Sequence, residues 1–161
     1  MRIISGTMRG TKLFTLEGEN TRPTLDRVKE ALFSIIQNEI YDAKILDLFS
    51  GSGALALESL SRGAKFAYLC DSSKKAVEII KQNVKKTHFE EQVKIINKDY
   101  KKCLEDLKNE KFDIVFLDPP YRTNFGINAV KFIIQNEIIT KDGTIIFETD
   151  KREEEYLSEL E

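Results

Sequence analysis

The four residues Asp118-Pro119-Pro120-Tyr121 directly follow the apolar run Phe112–Leu117. Each proline lacks a backbone N–H and has a fixed φ, so the pair ends a strand and predicts a rigid elbow. The Asp118 carboxylate and the Pro119 carbonyl can accept from the exocyclic amine of a planar base while the Tyr121 ring stacks on it. This interpretation assigns all four residues to catalysis. Taken alone, the same residues are equally compatible with an ordinary strand-to-loop turn.

A glycine-containing loop, residues 47–54, follows the first apolar strand-like run. Glycines let a ligand approach the backbone, and the start of the next helix offers free N–H groups. Residues 51–56 satisfy G-x-G-x-x-A, which permits a dinucleotide. Asp47, ahead of the glycines, would repel a pyrophosphate but can hold a cationic or amine-bearing ligand, directly or through water. S-adenosylmethionine has an ammonium, a sulfonium and no phosphate, so it suits this loop.

Two further carboxylates follow predicted strands. Asp71 comes after the second strand, where it can bind a ribose in either kind of cofactor. Asp99 comes after the third strand and either accepts from the adenine N6 amine or serves as the N-cap of the next helix. The predicted cofactor-binding residues are Asp47, Phe49, Gly51, Ser52, Gly53, Asp71, Asp99 and Asp118.

The elements that position these residues alternate regularly from residue 44 onward. Short, continuously apolar strands separated by helices predict a parallel sheet covered on both faces, with ligands outside the carboxyl ends of the strands. Residues 1–20 predict a short β-hairpin, and the helix after Pro23 is predicted to have Thr24 as its N-cap. The predicted strands are 44–49, 65–70, 93–97, 112–117 and 144–149; the predicted helices are 54–61, 73–86, 101–109 and 125–136, with Gly63 as a helix stop.

Composition predicts one soluble globular domain, residues 1–161, with residues 1–20 as a hairpin extension and residues 21–161 as the catalytic core. No apolar run is long enough for a transmembrane helix, and the N-terminus has no export signal. Cys70 and Cys103 are predicted to be buried free thiols, which favours a cytoplasmic location. With His88 as the only histidine, no metal site is predicted.

The net charge of −2 conceals an uneven distribution of charge. Residues 148–161 carry seven acids against Lys151 and Arg152, so the rest of the chain is net positive. Local charge steers phosphate, and the first dozen residues contain cations without an acid. For any single cation a solvated surface position is the better explanation, and for Arg27 a helix-surface salt bridge is favoured. The predicted RNA-binding residues are Arg2, Arg9, Lys12, Arg22 and Arg27, which either contact RNA phosphates or order the loop over the cofactor.

Together these features resemble the class I methyltransferases that alkylate exocyclic amines, and more narrowly the bacterial RsmD family. The resemblance covers most of the chain: residues 1–6, 9–10, 21–24, 26–33, 46–55, 60–64 and 112–121. It implies a Rossmann-like α/β fold, S-adenosylmethionine as the cofactor, and methylation of guanine N2 in 16S ribosomal RNA, free or within the small subunit. Such families commonly place Glu where Asp71 stands. The class usually ends in a further helix and an antiparallel strand pair, which are expected to be missing here.

Two alternative functions stay open at the level of sequence. An adenine-N6 DNA or RNA methyltransferase would use the same elbow, although no target-recognition domain is visible. A nucleotide-binding module or dehydrogenase would use the glycine loop but would leave the elbow without a role. In the leading interpretation the base is unpaired or flipped out, and catalysis consists of alignment and electrostatics, without a metal or covalent intermediate.

Overall fold

The computed structural model describes residues 1–16, 23–120 and 122–148, and for residues 23–26 only the backbone. Tyr121 and Arg22, both predicted site residues, therefore lie outside the described residues. The strands are β1 (Lys44–Asp47), β2 (Phe66–Cys70), β3 (Val93–Ile96), β4 (Phe112–Leu117) and β5 (Ile139–Phe147). The helices are α1 (Pro23–Ile40), α2 (Ala54–Ser61), α3 (Lys74–Thr87), α4 (Tyr100–Asp106) and α5 (Phe125–Gln135), with a 3-10 turn at Glu90–Gln92.

The five strands form one parallel sheet in the order β3-β2-β1-β4-β5. The order reverses at β1, which lies between β2 and β4, so the switch point is at the carboxyl end of β1. Two adjacent residues of β1 show how both faces are covered. Ile45 packs with residues of α1, α2 and α3 in one core cluster, whereas Leu46 packs with residues of α4 and α5 in the other. The predicted parallel sheet with helices on both faces is confirmed.

The N-terminal segment, which we define as residues 1–16, doubles back on itself and lies against α1, α2 and α3. Arg2 and Lys12 form an antiparallel bridge, flanked by backbone hydrogen bonds from Ile3 N to Thr11 O (2.9 Å) and from Leu13 N to Met1 O (2.8 Å). Ile3 and Leu13 are almost fully buried in the core of the sheet's α1 side. The predicted hairpin is therefore present within residues 1–16 as a short antiparallel turn.

Some predicted boundaries are wrong. The helix α1 already includes Pro23, so Thr24 lies inside the helix and is not its N-cap; proline is well suited to the first helical position, where its missing N–H costs nothing. The strand β1 ends at Asp47, and β3 ends at Ile96. The strand β5 begins at Ile139 rather than Thr144, because Ile139 pairs with Phe112 of β4 ahead of a register shift, after which the pairing resumes at Thr144.

Three smaller observations complete the fold. Cys70 and Cys103 are both buried free thiols, as predicted. Gly63 follows the end of α2 with a positive φ of 105°, which agrees with its predicted role as a stop. None of the helices in the described ranges combines the length and the apolar character needed to cross a bilayer.

Candidate active site

A cleft of about 940 Å³ opens at the carboxyl ends of the central strands. The loop after β1 and the elbow after β4 lie on it together, because β1 and β4 are neighbours in the sheet. The ends of β2 and β3 contribute Asp71 and Asp99. The predicted site residues that line this cleft are Phe49, Gly51, Ser52, Asp71, Asp99, Asp118, Pro119 and Pro120.

The backbone N–H groups of the glycine loop donate to the protein's own oxygens. Gly51 N donates to Asp71 Oδ2 at 2.9 Å, and Gly53 N donates to Ser50 O at 2.9 Å. At the start of α2, the backbone N–H of Ala56 donates to the carboxylate of Asp47. An anion bound in this loop would need such N–H groups. Carboxylates already occupy that position, so the loop is poorly suited to a pyrophosphate and well suited to a cationic ligand.

Asp47 is a structural part of the loop. Its side chain is 2% exposed, and Ser50 Oγ donates to its Oδ2 at 3.0 Å. Neither Asp47 nor Gly53 is among the residues that line the cleft, so a direct contact between Asp47 and a ligand is not what the structure shows. Burial raises the pKa of Asp47 to about 7, although the bonds from Ser50 and Ala56 work in the opposite direction.

Asp99 has one of the two roles considered for it from the sequence, that of an N-cap, and its place on the cleft leaves the contact with adenine a prediction. Its Oδ1 accepts from Lys102 N at 3.0 Å, so it is the N-cap of α4. The residue is also exposed and lines the cleft. One oxygen fixes the helix, and the carboxylate as a whole still faces the ligand space.

The elbow after β4 is held on three sides. Glu148 N donates to Leu117 O at 3.0 Å, and Thr123 Oγ1 donates to Pro120 O at 2.9 Å. Pro119 is buried against α5, where a Cβ placed on Gly126 would lie 3.1 Å from Pro119 Cγ and 2.1 Å from the ring of Phe147. The elbow is therefore rigid, as its two prolines predict. Asp118 at its start is exposed and lines the cleft.

Three aromatic rings form one wall of the cleft. Phe49 and Phe125 are parallel within 6° with centroids 6.5 Å apart, and Tyr100 lies 5.5 Å from the first and 4.8 Å from the second. All three residues line the cleft. Aromatic faces beside carboxylates provide both the stacking surface and the hydrogen-bond acceptors that a nucleoside with an exocyclic amine requires.

Comparison with known proteins also indicates a methyltransferase. The family model described as Conserved hypothetical protein 95 matches residues 1–160. The ribosomal RNA small subunit methyltransferase D of Haemophilus influenzae is 38% identical over 153 residues, which are 94% of this chain and 79% of that protein. The chain belongs to the RsmD-type methyltransferase family.

Two further proteins similar to this chain are also named as methyltransferases. A putative rRNA methyltransferase of Bacillus subtilis, YlbH, is 34% identical over 96% of this chain and 85% of its own length. The solved structure of the putative methyltransferase yhhF from Escherichia coli has a TM-score of 0.84 and 35% identity, over 93% of this chain and 81% of that one. The predicted Rossmann-like methyltransferase fold is confirmed.

Sequence reasoning missed several residues of this RsmD-type site. No role is predicted for Tyr100, Phe125 is predicted only as the first residue of a helix, and Lys101 and buried Lys29 also line the cleft. Two buried polar side chains behind the cleft were missed as well, Glu58 and Asn83. A signal for both exists, because Glu58 is the one charge in the apolar helix ALALESLS and Asn83 falls on the apolar stripe of α3.

Four of the five predicted RNA-binding cations are among the described residues, and none of the four lies in the cleft. Arg2, Arg9, Lys12 and Arg27 are all exposed, and none of them lines the cleft. Residues beside them do, since Met1 and Val28 belong to its wall. Among the described residues, no cluster of three or more His, Cys, Asp or Glu could hold a metal ion.

Proposed function

We propose that this protein transfers a methyl group from S-adenosylmethionine to the exocyclic N2 amine of a guanine in small-subunit ribosomal RNA. The observation that carries the proposal is the shared cleft, onto which Asp118, Pro119 and Pro120 open together with the glycine loop. Family membership supports methyl transfer, and the names of the Haemophilus and Bacillus relatives support rRNA as the substrate class.

The cleft suits a cationic nucleoside cofactor. Its lining contains the carboxylates Asp71 and Asp99, and the loop N–H groups of Gly51 and Gly53 are bound by protein oxygens, so these two N–H groups are not available to a phosphate. Asp71 would hold the ribose and Asp99 the adenine amine, with Phe49 beside the ring. When bound, S-adenosylmethionine supplies an electrophilic methyl group on a sulfonium. In this arrangement Asp47 does not contact the cofactor and instead fixes the loop through its hydrogen bond with Ser50.

The elbow residues would orient the target amine. An aromatic exocyclic amine is a poor nucleophile because its lone pair is delocalised into the ring. Asp118 and the Pro119 carbonyl accept its two N–H groups and favour a tetrahedral nitrogen with the lone pair aimed at the methyl group. The Pro120 carbonyl already accepts from Thr123, which leaves Pro119 as the assigned acceptor. The nitrogen loses one proton to Asp118 or water after the transfer, and Tyr121 is assigned to stack on the base.

The N-terminal segment supplies the proposed phosphate contacts. Arg2 and Lys12 are exposed and stand directly opposite each other in the antiparallel bridge. Like charges in that position repel each other, so an anion that contacts both would relieve the repulsion. Arg9, at the turn of the same segment, extends this positive edge. Arg22 and Arg27 complete the proposed set.

The test is transfer of labelled methyl from S-adenosylmethionine to small ribosomal subunits, and to RNA extracted from them, from cells that lack the endogenous enzyme. Label should appear as N2-methylguanine. Asp118→Asn should lower the rate by about 100-fold or more because one of the aligning acceptors becomes a mixed donor and acceptor. Glu78→Gln, which changes an exposed acid of α3 far from the cleft, is the matched control and should leave the rate unchanged.

Each alternative outcome has a distinct meaning. Label recovered as N6-methyladenine would mean that the substrate amine is adenine N6 and not guanine N2. Full activity of Asp118→Asn would remove the elbow from the mechanism. Binding of NADH in preference to S-adenosylmethionine would overturn the cofactor assignment.

A further inference from the structure

Asn83 is a fully buried amide that connects two parts of the molecule distant in sequence. It lies on α3 and is 0% exposed. Its Oδ1 accepts from Phe14 N at 2.7 Å, and its Nδ2 donates to Phe14 O at 2.9 Å. The same Nδ2 donates to Ser52 O at 2.9 Å. One side chain thus binds the N-terminal segment and the glycine loop at once.

These bonds use the amide fully. Both N–H donors and the carbonyl oxygen have partners, which is the condition under which a buried amide is tolerated. The two bonds to Phe14 pair the side chain with the backbone as a neighbouring strand would. Thr87, one turn later on the same buried face, bonds only to carbonyls of α3 itself. Asn83 therefore bonds to residues outside α3, whereas Thr87 bonds only within the helix.

A second set of contacts fixes the same segment to α2. Glu58 accepts from Ile4 N at 2.9 Å and from Ser5 N at 3.1 Å, and Ser61 Oγ accepts from Met8 N at 2.9 Å. The helix α2 begins where the glycine loop ends. The N-terminal segment is consequently held at residues 4–8 by the helix after the loop and at residue 14 by an amide that also holds the loop.

We propose that Asn83 is a positioning residue that couples the cofactor loop to the N-terminal segment, so that cofactor binding at Ser52 orders the RNA-facing edge. The inference rests on the proposed function for the assignment of RNA to that edge. Ser52 lines the cleft, and so does Thr15, the residue after Phe14. The bridge between them passes through Asn83, whose side chain is shielded from water, where hydrogen bonds are costly to leave unmade.

The test compares Asn83→Leu with Thr87→Val, two polar-to-apolar changes on the buried face of one helix. S-adenosylhomocysteine is the probe, by calorimetry and by hydrogen exchange with and without saturating ligand. In the unaltered protein the ligand should slow exchange in peptides from both the loop and residues 1–16. Asn83→Leu should bind about tenfold more weakly and lose the ligand-induced protection of residues 1–16. Thr87→Val should retain that protection and bind within about twofold of the unaltered protein.

A second pair of variants acts from the other side of the bridge. Phe14→Pro removes the N–H that Asn83 accepts from, and Phe14→Ala changes only the half-exposed ring. Phe14→Pro, but not Phe14→Ala, should lose the protection of residues 1–16. If Asn83→Leu does not fold, the two Phe14 variants still test the coupling, because they leave the buried side chains of α3 intact.

Failure of this inference is distinguishable from failure of the proposed function. Protection of residues 1–16 that persists in both Asn83→Leu and Phe14→Pro, with unchanged affinity, overturns the coupling even if the protein methylates guanine N2. Conversely, loss of protection in these two variants supports the coupling even if methyl transfer is found on another base. Where the protein does turn over, Asn83→Leu should raise KM for S-adenosylmethionine more than it lowers kcat.

Discussion

Single carboxylates determine which kind of ligand the glycine loop accepts. The G-x-G-x-x-A motif of the loop, taken alone, is compatible with a dinucleotide. Asp71 and Asp47 change that, because their oxygens bind the N–H groups of Gly51 and Ala56. The Gly51 N–H is then already bound by the Asp71 carboxylate, where a phosphate-binding loop would present a free donor. At this scale the identity of the side chains outweighs the glycine spacing.

The buried carboxyl of Asp47 should leave a signature in the pH dependence of stability. Its pKa is about 7 in the folded protein against 3.8 in a model compound. Because the folded state holds this proton more tightly, the contribution of Asp47 to stability is full below pH ~4 and is lost as the pH rises through ~7. Asp47→Asn should therefore gain stability relative to the unaltered protein over that window, by an amount on the order of 4 kcal/mol.

Urea unfolding at several pH values across this window measures the effect. Glu105→Gln, which changes an exposed carboxylate of α4, is the control and should give a curve parallel to that of the unaltered protein. Parallel curves for Asp47→Asn as well would mean that the carboxyl is not neutral in the folded protein near neutral pH.

Elements act as rigid supports for the elbow and the loop. The helix α5 lies so close to Phe147 of β5 and to the elbow that a Cβ at residue 126 would be 2.1 Å from the Phe147 ring and 3.1 Å from Pro119 Cγ. The helix α2 carries Glu58, which is 0% exposed and joins Lys29 (2.9 Å), Arg62 (2.8 Å) and the backbone of residues 4 and 5. Burial works to raise the pKa of Glu58, but Lys29, the Ile4 N–H and Arg62 together hold it below its usual value. The packing at Gly126 fixes α5, and the contacts of Glu58 fix α2, each next to the cleft.

Gly126→Ala should displace α5 from the elbow. The added Cβ meets the Phe147 ring and Pro119, and overpacking of this kind costs about 1–3 kcal/mol. We expect methyl transfer to fall more than affinity for S-adenosylhomocysteine, since Asp118 moves while the loop does not. Ile134→Ala on the same helix, at a side chain that is 60% exposed, should affect neither. Equal losses in binding and turnover for Gly126→Ala would argue against a local effect on the elbow.

Glu58→Gln should destabilise the whole molecule. The change removes the charge that compensates Lys29, which is 4% exposed, and breaking a buried pair from one side costs roughly 3–5 kcal/mol. The midpoint of urea unfolding measures this loss. Glu78→Gln, in an exposed i,i+3 pair with Lys81, should shift the midpoint by less than about 1 kcal/mol. Similar midpoints for the two variants would contradict the role of the buried network.

For the whole molecule, the distribution of charge matters more than its total. The net charge is −2, yet Arg2 and Lys12 concentrate positive charge on the N-terminal segment beside the cleft. Phosphate contacts of this kind bind RNA without reading its sequence and weaken as salt rises. A protein of negative net charge can therefore still bind RNA at one edge.

Arg2→Ala combined with Lys12→Ala should weaken binding to small-subunit RNA and make it less sensitive to salt. Each lost phosphate contact on a single strand lowers the salt slope by about 0.7. Affinity for S-adenosylhomocysteine should be unchanged, because neither residue lines the cleft. The control combines Lys65→Ala and Lys94→Ala, two exposed cations that do not line the cleft. An equal loss of RNA affinity in the control would mean that binding follows total charge.

The sequence by itself determined the locally encoded elements. The helix α2 and the strand β4 have the predicted limits, because glycines at 51, 53 and 63 and the two prolines at 119 and 120 mark their ends through backbone geometry. The alternation of apolar runs and helices also determined the parallel sheet. Ligands of a parallel sheet bind outside the carboxyl ends of its strands, so the loop and the elbow were expected at one edge. The cleft confirms that they share it.

Tertiary structure decided what each buried polar group does. Asp47 lies behind the cleft, Glu58 binds the N-terminal segment, and Asn83 joins that segment to Ser52. The partners of Glu58 and Asn83 lie up to 69 residues away, so no local pattern predicts them. The start of β5 was missed for the same reason, since it joins the sheet through the pairing of Ile139 with Phe112, ahead of a register shift. Backbone conformation is set by neighbours in sequence, whereas hydrogen-bond partners and burial are set by neighbours in space.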